Sequence, residues 1–304
     1  MKIQTLLRHG RRNAPAPGTP AWRRYLTASK ISAVMRTSPW QTRFQLWHEM
    51  AGNIEPAPPH PAVLERGHIL EPAVAARVQA HHPEWRVRDC GGRWWQVAGH
   101  YAATPDRILV DAETRDVVGL LEIKTSSHSD GWGTPGTDEI PPHYRDQVQW
   151  QLHCTGLDYA VVAVLTARLE FAEYYLHRDD ERIAQMCIEA DKFMADLESG
   201  LEPDWSAEAG DFQVYETIRE LHPEIDDYTL EASGATALAI RRAVKAKRLA
   251  QVTEARAKAS AAWELERGHA LTRDGVTIAR RTARKTKTCE PGVPYITFTK
   301  EAGK

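Results

Sequence analysis

Residues 120–127 read Leu-Leu-Glu-Ile-Lys-Thr-Ser-Ser, and this stretch decides the predicted fold of the chain. Apolar residues followed by small turn formers are typical of a buried strand, although Glu122 and Lys124 lie inside this one. Residues two apart in a strand point to the same face. Glu122 and Lys124 are therefore expected on one face, with Leu121 and Ile123 facing the core on the other.

Outward from this strand, the spacing of apolar residues predicts helices on both sides of a group of short strands. The alternation of the two periods predicts a mixed α/β or α+β sheet with helices packed on it. Helices are expected to begin near residue 27 and to cover 40–51, 62–81, 142–156 and 179–199, and strands to cover 85–90, 93–100, 106–111, 117–124, 159–166 and 169–177.

Composition divides the chain into four parts. Residues 1–20 are basic and rich in Pro and Gly, and are expected to form a flexible arm. Residues 21–204 contain the predicted sheet and form the main domain. Residues 205–234 are expected to be a linker. Residues 235–304 are expected to be a basic accessory module, with a long Ala-, Arg- and Lys-rich helix followed by a β-hairpin.

The two ends of the chain differ in charge. Residues 235–304 contain 16 Lys/Arg and 6 Asp/Glu, a net charge of +10, whereas residues 1–234 contain 23 basic and 35 acidic residues, a net charge of −12. An acidic body with a basic tail suits a protein that gathers carboxylates for a metal and meets a polyanion elsewhere. The alternative for the tail alone is a solvated charged segment.

Several classes of protein are disfavoured. The sequence contains no run of 18 apolar residues, so no membrane span is predicted. The N-terminus lacks a long apolar core and a small-residue cleavage site, and is interpreted as an arm rather than a signal peptide. Cys90, Cys154, Cys187 and Cys289 are far apart and form no CxxC pair, which argues against a zinc or iron–sulfur site. These features predict a cytoplasmic protein.

Asp106 precedes Glu122 by sixteen residues, at the start of the preceding predicted strand. A hairpin-like connection can bring the two carboxylates side by side. Two carboxylates and a lysine at the end of a sheet form a hard-oxygen site that suits Mg²⁺ or Mn²⁺. The alternative for Glu122 and Lys124 alone is a cross-strand ion pair on an exposed edge. Asp106, together with Glu71 on an earlier helix, favours the metal site.

The predicted helix at 142–156 carries a polar stripe. Tyr144, Gln147 and Gln151 are spaced at i, i+3 and i+7, so they share one face. A solvent-facing stripe is the alternative, because glutamine is common at surfaces. The functional interpretation is that this face of the helix points toward the strand that carries Glu122 and Lys124.

The order of these motifs resembles the phage-type exonucleases of the PD-(D/E)XK nuclease superfamily. It resembles more closely the YqaJ-type viral recombinase nucleases, kin of the phage lambda 5′→3′ exonuclease. The resemblance covers about residues 20–200 and implies a restriction-endonuclease-like mixed central sheet flanked by helices, with 21–204 as the nuclease domain. The matching stretches are LTASKISAVM (26–35), RGHILEP (66–72), TPDRIL (104–109), LLEIKT (120–125) and PPHYRDQVQWQLHCTG (141–156).

The resemblance also implies a metal-dependent phosphodiesterase. Asp106 and Glu122 would bind the catalytic Mg²⁺, for which Mn²⁺ can substitute. The backbone carbonyl of Ile123 would join them, and Glu71 would help to hold this ion or a second one. Such a metal lowers the pKa of water and neutralises charge on the phosphate.

Polar side chains beside the metal are given roles by the same resemblance. Lys124 would orient the attacking water and stabilise the developing charge. Gln147 would support the nucleophile or the scissile phosphate, and Tyr144 and Gln151 would line the groove.

A terminal 5′-phosphate is the ligand that the resemblance implies for Ser29. Helix N-termini and arginine side chains suit phosphate oxygens, and Arg23, Arg24 and Arg36 are near Ser29 in the sequence. The alternative is that Ser29 only marks the start of a helix.

Three functions follow, in order of preference. The first is a 5′→3′ exonuclease that resects double-stranded DNA ends and leaves 3′ single strands for an annealing or strand-exchange partner. The resemblance also implies a homo-oligomer, because related exonucleases form ring-shaped trimers, but the sequence does not indicate the number of subunits. The second is an endonuclease of the same superfamily, of the restriction or junction-cleaving kind. The third is a non-catalytic DNA-binding scaffold, against which the combination of Asp106, Glu122 and Lys124 argues.

Overall fold

The computed structural model describes residues 1–16, 19–56, 61–126, 131–166, 168–208, 211–224, 227, 229–282 and 295–298. The chain divides into two compact units, Met1–Ile225 and Asp226–Lys304. Each unit has its own secondary structure and its own buried cluster.

The first unit alternates between helices and short strands. Its elements in chain order are α1 (Ile3–His9), α2 (Pro20–Arg23), β1 (Leu26–Thr27), α3 (Ile31–Val34), α4 (Arg43–Ala51), α5 (Pro61–His81), β2 (Trp85–Asp89), β3 (Trp95–Val97), β4 (Tyr101–Ala103), β5 (Arg107–Asp111), β6 (Val117–Ser126), α6 (Pro142–Thr155), β7 (Tyr159–Thr166), β8 (Phe171–His177), α7 (Asp180–Ser199), a 3-10 turn (Trp205–Glu208) and α8 (Phe212–Leu221).

A five-stranded mixed sheet is the centre of this unit. Its strand order is β2-β5-β6-β7-β8. The pairing of β6 with β7 is parallel and the other three pairings are antiparallel. A second sheet of three short strands has the order β1-β4-β3. The predicted fold class, a mixed α+β sheet flanked by helices, is confirmed.

The two faces of the central sheet bury different helices. On one face Leu121 and Ile123 of β6 pack in a cluster that includes Val74 and Val78 of α5. On the other face Leu120 packs in a larger cluster to which α3, α6 and α7 contribute. Alternation along β6 therefore directs Glu122 to the face that α6 covers. The connection from β6 through α6 to β7 places one helix directly over the charged face of the strand.

Glycine at residue 119 lets β6 and β7 approach closely. A Cβ atom there would lie within van der Waals overlap of the Tyr159 carbonyl oxygen, at 2.4 Å. Glycine in a strand commonly marks such a close backbone approach. The register that follows pairs Leu120 with Ala160 and continues through Ser126.

A buried ion pair holds α6 against its neighbours. Asp146 is 2% exposed, and its carboxylate accepts hydrogen bonds from Arg182 Nε and Nη2 of α7, each at 2.8 Å. Thr37 Oγ1 donates to Asp146 Oδ2 at 2.7 Å. A single carboxylate thus fixes α6, α7 and the segment after α3 together. This tether was not anticipated from the sequence.

We expect Asp146→Ala to lower the free energy of unfolding by about 2–4 kcal/mol, because it leaves a largely buried guanidinium without its partner. Asp180→Ala is the matched control: Asp180, the first residue of α7, pairs with Arg178, which precedes the helix, but its side chain is 81% exposed. Exposed pairs contribute roughly 0–1 kcal/mol. Urea unfolding measures both values, and equal losses for the two variants would contradict the assignment of Asp146 as a tether.

Residues 1–20 are not a flexible arm where the structure describes them. Helix α1 places Leu6, fully buried, in the main core, and Trp95 Nε1 donates to the Leu6 carbonyl at 3.3 Å. Isolated bridges pair Lys2 with Asp116 and Arg11 with Trp94. The prediction rested on the Pro, Gly and Arg content. It was wrong because one buried leucine and two backbone bridges are enough to anchor the segment.

The predicted linker at 205–234 is also wrong for its first half. Val214 and Thr217 of α8 are each 2% exposed. The carboxylate of Glu208 accepts hydrogen bonds from the backbone N–H groups of Arg43 and Phe44, both at 3.2 Å, at the start of α4. An acidic side chain at a helix N-terminus satisfies otherwise unpaired donors. These contacts make 205–221 part of the first unit.

The second unit contains one long helix and a small antiparallel sheet. Its elements are α9 (Gly234–Leu265), β9 (Ala270–Arg273), β10 (Val276–Thr282) and β11 (Tyr295–Phe298), with the strand order β11-β10-β9. Ala261, Leu265 and Ala279 form its buried cluster. The sequence predicted a helix and a hairpin; β9 is an additional strand, and residues 283–294 and 299–304 of the predicted module lie outside the described residues.

Among the described residues, no helix has the length and apolar character needed to cross a membrane.

Candidate active site

Asp106 and Glu122 come together where β5 begins beside the middle of β6. The antiparallel register pairs Arg107 with Leu121, so the residue before β5 lies beside the residues that follow Leu121. Asp106 Oδ2 accepts a hydrogen bond from the backbone N–H of Ile123 at 2.7 Å. The strand pairing, rather than a long-range loop, therefore places this carboxylate next to the charged face of β6.

Three donors surround the buried carboxylate of Glu122. Lys124 Nζ donates to Glu122 Oε1 at 2.5 Å. Gln147 Nε2 donates to the same oxygen at 2.5 Å, and Gln151 Nε2 donates to Oε2 at 2.7 Å. Both glutamines belong to α6, so the polar stripe of this helix faces the strand and not solvent. Glu122 is 3% exposed, and this enclosure holds its carboxylate in one orientation.

Lys124 is held as a cation at the centre of this group. Its Nζ also donates to Gln147 Oε1 at 3.1 Å and lies 4.9 Å from the centre of the Tyr144 ring. Burial alone would lower the pKa of Lys124, but the carboxylates of Glu122 and Asp106 outweigh it, and the pKa is raised above its usual value. The ammonium form is therefore favoured at neutral pH.

For Asp106, the environment favours the uncharged form of the side chain. Burial, and then the nearby negative charge of Glu122, raise the pKa of Asp106 to about 8, against the opposing effects of Lys124 and the Ile123 N–H. Two carboxylates held close together repel each other, so one of them holds a proton more tightly. One lysine does not balance the negative charge that this site can carry.

Glu71 is turned toward a different partner. Its Oε1 lies 2.6 Å from Arg107 Nη1, and Arg107 also lies 3.6 Å from Asp89 Oδ2. Glu71 is still close enough to raise the pKa of Asp106. Within the described residues, no group of three or more His, Cys, Asp or Glu side chains has the arrangement of a metal site. The predicted convergence of three carboxylates is thus reduced to Asp106 and Glu122.

The remaining donors fit a divalent cation of the hard-oxygen class. Mg²⁺ is commonly held by only one or two carboxylates, with water and substrate phosphate completing its coordination. Asp106 and Glu122 provide the two carboxylates, and their excess negative charge is the property that a cation would neutralise. Gln151 Oε1 is buried without a hydrogen-bond partner among the described residues, so the site also contains one unused hard oxygen.

The predicted phosphate-binding residues have other contacts in this structure. Ser29 is exposed and its hydroxyl is 3.0 Å from Thr27 Oγ1. Arg36 has a positive φ of 56° and lies 3.5 Å from Glu208. Arg23 pairs with Glu55, whereas Arg24 is exposed. Helix α3 begins at Ile31 and has only four residues, so Ser29 does not cap a long helix.

Four rings form a connected group that includes Tyr144, the ring beside Lys124, and three of them were not predicted from the sequence. Trp40 and His143 lie 4.5 Å apart between ring centres, Trp40 and Tyr144 lie 5.8 Å apart, and Trp132 and Tyr144 lie 5.5 Å apart. We call Trp40, Trp132, His143 and Tyr144 the aromatic strip. Only Tyr144 gave a signal, through its helical spacing from Gln147. Trp40 and Trp132 come from separate segments, and His143 lies outside the i, i+3, i+7 spacing of the polar stripe.

His143 contributes an uncharged ring to this strip. Burial, followed by the charge of Lys124, lowers the pKa of His143 to about 4. Its Nε2 is buried and has no hydrogen-bond partner in the part of the chain that the structure describes. At neutral pH the strip is therefore an apolar and aromatic border beside the charged group.

Comparison with known proteins gives one family match and one partial relative among curated proteins. Residues 19–158 match the YqaJ-like viral recombinase domain, a range that includes Asp106, Glu122, Lys124 and the polar stripe of α6. The uncharacterized protein YqaJ of Bacillus subtilis (strain 168) is 27% identical over 165 residues, which cover 53% of this chain and 49% of that protein. The chain thus spans about half the length of this relative.

Solved structures with a similar fold include two exonucleases. The alkaline exonuclease LHK-Exo from Laribacter hongkongensis is 25% identical, with a TM-score of 0.45, and the match covers 59% of this chain and 90% of that one. A phage-related exonuclease from Haemophilus somnus 129PT is 13% identical, with a TM-score of 0.43, and the match covers 58% and 96%. Both TM-scores are below 0.5.

Proposed function

Taking the YqaJ-like viral recombinase domain at residues 19–158 as the premise, we propose that this protein is a metal-dependent nuclease that hydrolyses phosphodiester bonds of DNA. The observation that carries the proposal is the meeting of Asp106, Glu122 and Lys124 on the face of β6 that α6 covers. A phosphate group and a divalent cation are the partners that two carboxylates and one ammonium suit together.

Asp106 and Glu122 would hold the ion, with the backbone carbonyl of Ile123, and Mg²⁺ is the proposed cofactor, with Mn²⁺ as a substitute. When bound, such an ion would neutralise phosphate charge and make a water molecule more acidic. Gln151 fixes Glu122 Oε2 from the opposite side, so the orientation of this carboxylate is set before the ion arrives. Glu71 would act from a distance, through its charge and its pair with Arg107.

Lys124 is proposed to act on the reacting phosphate. Its raised pKa keeps it protonated, so it donates hydrogen bonds and does not act as a base. An ammonium held in place by Glu122 and Gln147 can stabilise negative charge that develops on phosphate oxygens without first reorganising. Gln147 would position this ammonium, and Tyr144 would cover it on the side of its ring.

The finer proposal is a 5′→3′ exonuclease that acts on double-stranded DNA ends and leaves 3′ single strands. Ser29, with Arg24 and Arg36, is proposed to bind the terminal 5′-phosphate, and the bound strand would displace the contact of Arg36 with Glu208. Helix α9 carries the basic residues Arg241, Arg242, Lys245, Lys247, Arg248, Arg256 and Lys258. We propose that this helix contacts the phosphate backbone of DNA without sequence specificity. We also propose that the enzyme forms a homo-oligomer. The single strand that it leaves would be received by an annealing protein.

A comparison of DNA substrates tests this function. We expect linear duplex DNA with a 5′-phosphate to be degraded in Mg²⁺ and to be stable in EDTA. A label on the 5′ nucleotide should be released first. The 5′-hydroxyl duplex should react more slowly, because the proposed phosphate contacts are lost, and covalently closed circular DNA should survive.

Each departure from this pattern has a distinct meaning. Cutting of the closed circle would favour an endonuclease, for which recognition of an end is unnecessary. Equal rates for the two 5′ ends would remove the role proposed for Ser29, Arg24 and Arg36. Failure to cleave any DNA in Mg²⁺ or Mn²⁺ would contradict the proposed chemistry itself.

A further inference from the structure

The aromatic strip has a geometry that the proposed hydrolysis does not use. Its rings form a continuous series from Trp132 through Tyr144 to Trp40, with centre-to-centre distances of 5.5 and 5.8 Å. Tyr144, in the middle, is also the ring over which Lys124 Nζ lies, at 4.9 Å. Trp40 is therefore two ring contacts away from the ammonium that is proposed to meet phosphate.

Trp40 occupies the solvent end of this series. Its side chain is 60% exposed, whereas Trp132, His143 and Tyr144 are half-buried. The backbone at this point is fixed, because Ser38 Oγ accepts hydrogen bonds from the N–H groups of Trp40 and Gln41, both at 3.2 Å. A constrained segment therefore exposes the ring of Trp40 to solvent. The rings of His143 and Tyr144 pack against it.

Exposure alone does not distinguish Trp40. Single exposed apolar side chains are common at protein surfaces, and Trp205 and Trp263 are 46% and 86% exposed. Position does distinguish it. Trp40 is connected through Tyr144 to the ammonium of Lys124, which lies beside the carboxylate of Glu122. A strand whose phosphate reaches Lys124 would therefore bring a base near this ring.

Nucleic-acid strands offer a planar base next to every phosphate. Proteins bind single strands by combining positive charge for the backbone with aromatic rings on which bases stack. Lys124 and the aromatic strip provide these two features side by side. The strip contains no ionised side chain at neutral pH, since its histidine is uncharged, which suits the face of a base better than a phosphate.

We propose that Trp40 is a stacking platform for a nucleobase of the strand whose phosphate lies at Lys124. The proposal rests on the proposed function for the position of the strand, and it adds a binding residue that contributes through contact with a base. Because every base has a π face, the contact would be tolerant of sequence. Trp40 would then hold the end of the strand in register while the bond beside Lys124 is attacked.

A thermodynamic cycle with abasic DNA tests this contact without requiring cleavage. Binding of a fluorescent single-stranded oligonucleotide is measured by anisotropy in EDTA, for the wild-type protein, Trp40→Ala, Trp40→Phe and the exposed-tryptophan control Trp205→Ala. A series of oligonucleotides carries one abasic site at successive positions from the 5′ end. Circular dichroism and thermal unfolding check that each variant is folded.

We expect Trp40→Ala to weaken binding about 5- to 150-fold, the range found when one base–aromatic stack is removed. Trp40→Phe should retain most of the affinity, and Trp205→Ala should bind as the wild type does. At one position the abasic site should weaken binding to the wild type but have little further effect on Trp40→Ala, because the stack is already lost.

The opposite results would overturn the proposal. Wild-type affinity in a folded Trp40→Ala protein would do so, as would abasic penalties that are equal in the two proteins at every position. These outcomes are separable from failure of the proposed function, since a chain that couples Trp40 to one base yet cleaves no DNA in Mg²⁺ retains the stack and loses the hydrolysis.

Discussion

Asp106→Asn should abolish cleavage of 5′-phosphorylated duplex DNA while leaving the protein folded and able to bind the duplex. Asparagine keeps the shape of the side chain and an oxygen that can accept from the Ile123 N–H, but it removes one of the two carboxylates proposed to hold the ion. Loss of several kcal/mol of transition-state stabilisation corresponds to a rate reduced by about 1000-fold or more. Single-turnover cleavage in Mg²⁺ measures this effect.

The same variant should be more stable than the wild type when no metal is present and the pH is alkaline. The pKa of Asp106 in the folded protein is about 8, well above its usual value of 3.8. When folding raises the pKa of a carboxyl group, the free energy of unfolding falls as the pH rises from the pKa in the unfolded chain to the pKa in the folded protein. The stability advantage of Asp106→Asn should therefore grow between about pH 4 and pH 8, which urea unfolding in EDTA can measure.

This pair of readouts separates a metal ligand from a structural residue. A structural carboxylate would lower both activity and stability when replaced, whereas the proposed ligand lowers activity and raises metal-free stability. Asp158→Asn is the matched control, because Asp158 is exposed at the opposite end of β7 from the residues paired with Glu122 and Lys124, and it should change neither value. Cleavage by Asp106→Asn within tenfold of the wild-type rate would remove Asp106 from the site.

The sequence could predict those features of the site that depend on residues close together in the chain. The alternation of side chains is local, so the shared face of Glu122 and Lys124 follows from two positions in one strand. The helical spacing of Tyr144, Gln147 and Gln151 is equally local. That α6 covers β6 follows from a parallel pairing with β7, since parallel strands need a crossover connection.

What the sequence did not reveal depends on side chains from distant segments. Arg107 as the partner of Glu71, and Arg182 as the partner of Asp146, require the packing of specific helices and strands. The buried position of Leu6 in a Pro- and Gly-rich segment has no periodic signal, because α1 is only seven residues long. The aromatic strip likewise joins residue 40 to residues 132 and 143–144, which no local pattern connects.

These missed contacts share a physical origin. The sequence gives the direction of a side chain relative to its own element, but not the neighbour that will reach it. Glu71 illustrates the consequence: its helix was predicted correctly in extent, yet its carboxylate meets an arginine that belongs to β5. The chemistry of the site therefore follows from the strand pairings and from α6, and less from the number of acidic residues that the motifs supply.

Lys124→Met is expected to lower the rate of cleavage by about 100-fold or more, which is the cost of removing one preorganised donor from a developing negative charge. Methionine keeps much of the length of the side chain and removes only the charge and the donors. DNA binding, measured by anisotropy in EDTA, should fall much less than the rate, because a single ammonium is one of many cationic contacts. Lys192→Met, at an exposed position on α7, is the control and should cleave at the wild-type rate.

A second substitution distinguishes a catalytic role of Lys124 from a purely structural role as the partner of Glu122. Without the ammonium, the buried Glu122 loses its nearest counter-charge, so Lys124→Met should also be less stable in EDTA. Adding Glu122→Gln removes that unpaired charge and should restore stability, yet the double variant should remain as inactive as either single one. If stability and cleavage were both recovered in the double variant, Lys124 would be a partner of Glu122 and nothing more, and the ammonium would have no place in the chemistry.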